Sequence, residues 1–234
     1  MAPLACARSV SARRRAESRF AEGQANQVLS GVDFTPYARR RRALNLGAVG
    51  LCVVSHSAEH AIREWLRDFR ATWHPAGTEP SRMRAETVRF VKHRDAPGGE
   101  LWYITCDADG GSRGTERWSW TMEASPDNDG KWRAYCVSGG GGSGDPVHRG
   151  RPWANLGGNW GSNGFRAGGT VEDAGAGITS VRMTDAAGRT FEDTVANSVV
   201  LFASGEAVHM PMRVELIDEA GLVVDTDEWG FVDE

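Results

Sequence analysis

From Met83 onward the sequence predicts an all-β chain, an antiparallel sandwich of about nine strands. Three observations carry that prediction. Apolar and polar residues alternate in short runs, as in Trp118-Ser-Trp-Thr-Met122 and Met212-Arg-Val-Glu-Leu-Ile217. Clusters of Gly, Asp, Asn and Pro separate the runs, and these residues accept the backbone angles of tight turns. No segment between them has the 3.6-residue period of a helix, so crossover helices and a parallel sheet are not expected. Two facing sheets need only one apolar side per strand, which fits a hydrophobic share of 40%.

Ahead of the strands lies a different kind of chain. Residues 1–42 hold nine arginines against three acids, clustered at Arg13–Arg15 and Arg39–Arg42, with too few apolar side chains to bury a face. A disordered basic leader is expected there. Four readings compete for it: an organelle transit peptide, a secretory signal cut before Ala58, attraction of nucleic acid or an acidic membrane by the arginines alone, or residues ahead of the true start. Residues 43–75 join an apolar run to an amphipathic helix. The run Ala43–Val54 has twelve residues, against about 20 for a bilayer span, so no integral span is expected. Contact of residues 39–57 with a membrane surface is allowed. From Ser57, the residues Ala61, Ile62, Trp65, Leu66 and Phe69 share one helical stripe, and Glu59, Arg63, Glu64, Arg67, Asp68 and Arg70 mostly face away. Pro75 stops this helix, residues 76–84 form a linker, and the β domain occupies residues 85–234.

The strands follow in order. Thr87–Lys92 leads through Asp95-Ala-Pro-Gly-Gly99 into Leu101–Cys106. Trp118–Met122 and Trp132–Val137 flank the turn residues Pro126–Gly130, which makes a meander. Gly139–Gly169 then holds twelve glycines in 31 residues. Each glycine forfeits packing in a sheet, so an ordered but irregular connection is expected, punctuated by Trp153, Trp160 and Phe165. Ile178–Thr184 and Thr190–Val195 flank Asp185-Ala-Ala-Gly188, and Ser198–Phe202 is a short buried strand. Met212–Ile217 and Leu222–Asp225 close on Glu219-Ala-Gly221.

The same residues carry a resemblance. Phe165-Arg-Ala-Gly-Gly169, Ile178-Thr-Ser-Val-Arg-Met183, Gly188, Phe191-Glu-Asp193, Val195, Val199-Val-Leu-Phe202, Pro211 and Val214-Glu-Leu216 with Asp218 and Gly221 resemble an uncharacterised group of small actinobacterial proteins. That group has an immunoglobulin-like β-sandwich with an AGG turn, a hairpin ending in ED-x-V, and a VEL-x-D-x-x-G hairpin. Trp132 and the glycines after it are similar to the group's upstream W-x-V…GG stretch. The resemblance covers roughly residues 83–226. It implies an immunoglobulin-like fold and a bacterial origin, and it implies no activity and no functional residues.

Charge narrows the partners. Residues 1–75 carry twelve arginines against six acids, whereas residues 76–234 carry fifteen basic against twenty-five acidic side chains. A body with that acidic excess is a poor partner for nucleic acid, which needs concentrated Lys and Arg. The motif His56-Ser-Ala-Glu-His60 has H-x-x-E-H spacing, which puts two histidines one helical turn apart as zinc ligands. It lacks a third ligand, and a solvated helix face is the competing reading. Cys106 and Cys136 end two predicted strands, so a disulfide between them competes with two free thiols. No C-x-x-C pair occurs and no cofactor is expected. The acid pairs Asp107/Asp109 and Asp127/Asp129, with the group Asp225/Asp227/Glu228, read as turn chemistry before they read as calcium ligands.

Six tryptophans, Trp102, Trp118, Trp120, Trp132, Trp153 and Trp160, supply either core or a stacking platform. Trp153, Asn155, Trp160 and Asn163 are the favoured ligand-binding set, because aromatic faces beside fixed amides suit a sugar. The functional expectation is a non-enzymatic binding module for a glycan or protein at the cell envelope or surface. A cytoplasmic interaction protein without a small-molecule site is the alternative, and a hydrolase of unrecognised type is the third.

Overall fold

Three antiparallel sheets and a helix make up the described residues of this computed structural model, which are 57–69, 79–142, 148–162 and 164–230. All of them fall within the compact unit Cys52–Glu234. The basic leader, the whole apolar run, His56, residues 70–78 with Pro75 and part of the expected linker, and Asn163 lie outside the described residues. The helix is α1 (Ala58–Asp68). The strands are β1 (Arg82–Met83), β2 (Arg89–Ala96), β3 (Gly99–Asp109), β4 (Thr115–Pro126), β5 (Trp132–Gly142), β6 (Trp153–Gly161), β7 (Gly164–Glu172), β8 (Ile178–Thr184), β9 (Thr190–Thr194), β10 (Val199–Ser204), β11 (Met212–Asp218) and β12 (Val223–Trp229). No helix among the described residues is long and apolar enough to cross a membrane.

In the first sheet β1 and β2 pair with one side of β3, and β4 and β5 follow on the other. The second sheet has the order β10-β7-β6, and the third β12-β11-β8-β9. All-β character is therefore as expected, but nine strands become twelve among the described residues. β1 is a two-residue addition, while β6 and β7 run through the glycine-rich stretch where the sequence predicts an irregular connection.

Close approach explains that reversal. Gly139 and Gly141 of β5 lie opposite Trp120 and Trp118 of β4. A Cβ on Gly139 would sit 2.1 Å from Trp120 Cε3, and one on Gly141 would sit 2.5 Å from Trp118 Cγ. The two indoles, stacked 5.3 Å apart at 15°, take the space the missing side chains leave. On β7 a Cβ at Gly168 would lie 2.6 Å from Leu201 Cδ2 and 2.8 Å from Thr121 Oγ1 of the first sheet. Glycine here lets rings and sheets approach closely, a use that depends on what stands opposite in space.

The second sheet is the middle layer. Val200 and Phe202 of β10 join Phe165, Val181, Met183 and Met212 in the core shared with the third sheet. Val199 and Leu201 turn to the other side and pack with Leu101, Tyr103 and Val137 of the first sheet. A strand buried on both faces reads as an unbroken apolar run, which is what Val199-Val-Leu-Phe202 is. At one side of this layer Lys92 donates to Asp193 at 2.6 Å and to the Thr194 and Val199 carbonyls, while Arg94 donates to the Leu201 carbonyl at 2.6 Å.

Helix α1 covers the remaining face of the first sheet. Ile62 and Leu66, fully buried, pack on Ile104, Cys106, Trp120 and Met122. Ser57 caps the helix, its Oγ accepting from His60 N–H at 3.3 Å. The helix ends at Asp68, well before Pro75, because Phe69 turns to extended angles. Its ring then stacks on Trp65 at 4.8 Å and meets Trp120 edge-on at 4.8 Å.

Candidate functional site

The helix is shorter than the sheet beneath it. Its eleven residues make about 16 Å of length. β3 has eleven residues and β4 twelve, which extend for about 35–40 Å. Beside the helix start lies an open cleft of about 300 Å³, lined by Ser57, Ala58, Glu59, Glu100, Trp102 and Trp132.

Strand alternation builds this cleft. Positions 100, 102, 104 and 106 of β3 point to the helix side, so Glu100 and Trp102 project together. Trp132 starts β5 opposite Pro126, while Ala124 and Ala134 occupy the row between the two tryptophans and add little bulk. The Trp102 ring is fixed on three sides. Its Nε1–H donates to Glu100 Oε2 at 2.8 Å, His93 stacks on it at 4.8 Å and 26°, and Phe90 meets it edge-on at 5.2 Å. Trp102 and Trp132 are half-buried, and Glu59 is exposed in the first helical turn. Among the described residues, the lining therefore offers two indoles and two carboxylates, and no basic side chain.

The tryptophans and asparagines favoured from the sequence are not gathered into one place. Trp153 and Asn155 project from one face of β6, and Trp160 from the other. The Trp153 N–H donates to Glu172 Oε2, and the Arg149 guanidinium lies 4.0 Å from the ring centroid. Asn155 is exposed. Trp160 packs with Trp229 at 5.3 Å in the core of the second and third sheets. Asn163 lies outside the described residues.

Cys106 and Cys136 are free thiols. Cys106 is opposite Trp118 and Cys136 opposite Met122, so β4 and a four-residue offset separate them. That is about 16 Å, far beyond the reach of a disulfide. The bridge weighed from the sequence is thus corrected: both strands are present, but they are not neighbours. Burial pushes the Cys106 thiol up to about 11 and the Cys136 thiol up to about 12, so both are protonated at neutral pH.

His60 of the H-x-x-E-H motif faces Glu64, with 3.5 Å between Nε2 and Oε1, on the solvent side of the helix. His56 lies outside the described residues. No group of three or more His, Cys, Asp or Glu able to hold a metal ion occurs among the described residues. The acid pairs serve their own turns: Asp109 accepts from Gly111 N–H, and Asp127 from the Asp129 and Lys131 N–H groups and Arg133.

The buried charged groups are also committed to structure. Glu116 accepts from Ser81, Arg113 and Trp118. Arg166 binds Glu123 and the carbonyls of Pro97, Phe165 and Ser204. Burial alone would raise the pKa of Asp185, but hydrogen bonds from Arg189 N–H, the Arg189 guanidinium and His209 N–H outweigh it and hold the carboxyl at about 2. Each of these groups ties a turn or a strand to its neighbour. Among the described residues, aromatic and charged side chains meet around open space beside α1, in about 300 Å³, and also around a much smaller pocket of about 10 Å³ lined by Arg151, Trp153, Asp225 and Asp227.

Compared with known proteins, the chain matches no family model, no curated protein and no solved structure. The reading of the cleft therefore rests on its own chemistry. Sequence reasoning placed Trp102 and Trp132 among six candidate stacking residues, read Glu59 only as part of the H-x-x-E-H motif and the outer helix face, and passed over Glu100. The signal for Glu100 was its i, i+2 spacing to Trp102 on a strand, which puts both on one face.

Proposed function

We propose that this chain is a non-enzymatic binding module whose ligand sits in the cleft between the start of α1, Trp102 and Trp132. The observation that supports this is the cleft itself: about 300 Å³ of open space, near the lower end of ligand-site volumes, beside two half-buried indoles and two carboxylates. Trp102 is held in place before any ligand arrives, so binding costs little ordering of that ring. Its carrier is a sandwich that we read as immunoglobulin-like. Strands β6–β12 pair as β6-β7-β10 and β12-β11-β8-β9. That order corresponds to A-B-E and G-F-C with a switched fourth strand in immunoglobulin-like sandwiches. The meander β1–β5 and the helix would then be an addition that brings the cleft.

The test is a survey of the indole N–H signals of ¹⁵N-labelled full chain against neutral saccharides, small amines and short peptides. Trp102 and Trp132 are expected to shift together with at least one class. Shifts confined to other tryptophans, such as Trp153, would contradict the assignment. A second reading, a protein-interaction module, is favoured by the β11–β12 hairpin, where Leu222, Val223 and Val224 are 64%, 47% and 39% exposed. Sedimentation of a variant with all three changed to Thr tests it: loss of self-association relative to the parent chain would favour this reading, and a monomer in both would count against self-pairing there.

A further inference from the structure

The charges and rings around the cleft specify a class of ligand. We propose that it binds a small alkylammonium cation, held against the Trp102 and Trp132 rings and neutralised by the Glu59 and Glu100 carboxylates. This rests on the cleft being the binding site, as read above, and goes on to say what it takes.

Four observations carry it. The ring faces of tryptophan are electron-rich and attract a cation, more strongly than those of tyrosine or phenylalanine. Among the described residues, both lining charges are negative and none of the lining side chains is basic. Three nearby basic side chains, Arg133, Arg63 and His93, do not line the cleft. Arg133 follows Trp132 but alternates to the opposite face, where it pairs with Asp127 at 2.8 Å. Arg63 donates to the Ala85 carbonyl and lies over the Phe90 ring. His93 contacts Trp102 from β2 and does not line the cleft. The partial positive charge of the helix start opposes a cation, but Ser57 caps that end and Glu59 in its first turn offsets it.

The fourth observation concerns Glu100, which suits an ammonium better than a guanidinium. An arginine-like fork binds best when both oxygens of one carboxylate are available in parallel. Glu100 Oε2 already accepts the Trp102 N–H at 2.8 Å, which leaves Oε1 for a ligand. At Glu100, one oxygen beside the Trp102 ring suits a compact, rounded cation that needs no paired donors there, and Glu59 adds its charge from the exposed first turn of the helix. No covalent step is involved, so the cleft is a site of recognition.

The test compares choline with 3,3-dimethylbutan-1-ol, a neutral molecule of nearly the same shape, on the full-length chain. The readout is the indole N–H signals of Trp102 and Trp132, assigned from the Trp102→Phe and Trp132→Phe variants. Choline is expected to shift both signals saturably, and the neutral isostere to bind at least about tenfold more weakly. Glu100→Gln keeps an oxygen for the Trp102 N–H but removes the charge, and Glu59→Gln changes an exposed residue that no core depends on. Each is expected to weaken choline roughly three- to tenfold while leaving the isostere unchanged. Equal binding of choline and the isostere, or binding of glucose alone, would overturn the cationic class and leave the cleft as a site. Saturable binding of choline that leaves both indole signals unmoved would overturn the site as well.

Discussion

The two large cores of this molecule are closed in different ways. Between the second and third sheets, Phe165, Val181, Met183, Val200, Phe202 and Met212 are buried between two layers of strands. On the outer face of the first sheet the packing is aromatic, with Trp65, Phe69, Trp118 and Trp120 in mutual contact. There the described cover is an eleven-residue helix. A sheet closes a sheet along its whole length, whereas one short helix leaves part of the surface open. The cleft at Trp102 and Trp132 follows from that mismatch, and it brings polar and aromatic groups together without disturbing the aliphatic core.

Breaking the aliphatic core should have the largest effect. Phe202→Ala is expected to cost about 3–5 kcal/mol, measured as a shift of the urea midpoint. Such a variant should lose the whole fold cooperatively, because the middle sheet supports both of its neighbours. Overfilling the aromatic face should cost less. Gly139→Ala places a carbon 2.1 Å from Trp120, and the expected loss is about 1–3 kcal/mol. Its control is Gly142→Ala, where no atom lies within 4 Å of the added carbon and the expected change is within about 0.5 kcal/mol. Equal effects at the two glycines would mean that Trp120 does not rest where described.

Acid sharpens the comparison further, because the third sheet is tied by Asp185. Its folded pKa, about 2, lies below the ordinary aspartate value of 3.8. A depressed carboxyl contributes stability that is fully present above about pH 4 and is lost as pH falls through about 2. Unfolding of Asp185→Asn should therefore depend less on pH across that window than unfolding of the parent. The smallest effect expected is chemical. Cys106 and Cys136 should resist iodoacetamide in the native chain at pH 8 and react in urea, as peptide mapping would show, since both thiol pKa values lie near 11 or 12. Rapid native labelling would indicate that the helix side of the first sheet opens readily.

Much of the fold was legible because alternation is a local property. Each expected strand segment, from Thr87–Lys92 to Leu222–Asp225, overlaps an observed strand. The stripe Ala61, Ile62, Leu66 likewise gave the buried side of α1. β6 and β7 were not legible, because a glycine that seats an indole or admits a neighbouring sheet looks, in sequence, like one in a loop. Trp120 lies beneath α1, whereas Trp102 lines the cleft at its start. The two share the same kind of strand pattern, so their difference is set by where a separate helix ends. The candidate site was hidden for that reason: its parts come from α1, β3 and β5, and the helix length decides which tryptophans remain accessible.

The most direct test of this account is a crystal structure of the full chain grown with choline. The account predicts the quaternary ammonium between Trp102 and Trp132, with Glu100 and Glu59 nearby and Trp120 still packed over Gly139. Choline bound at another surface, or a cleft filled by residues of the chain itself, would contradict it.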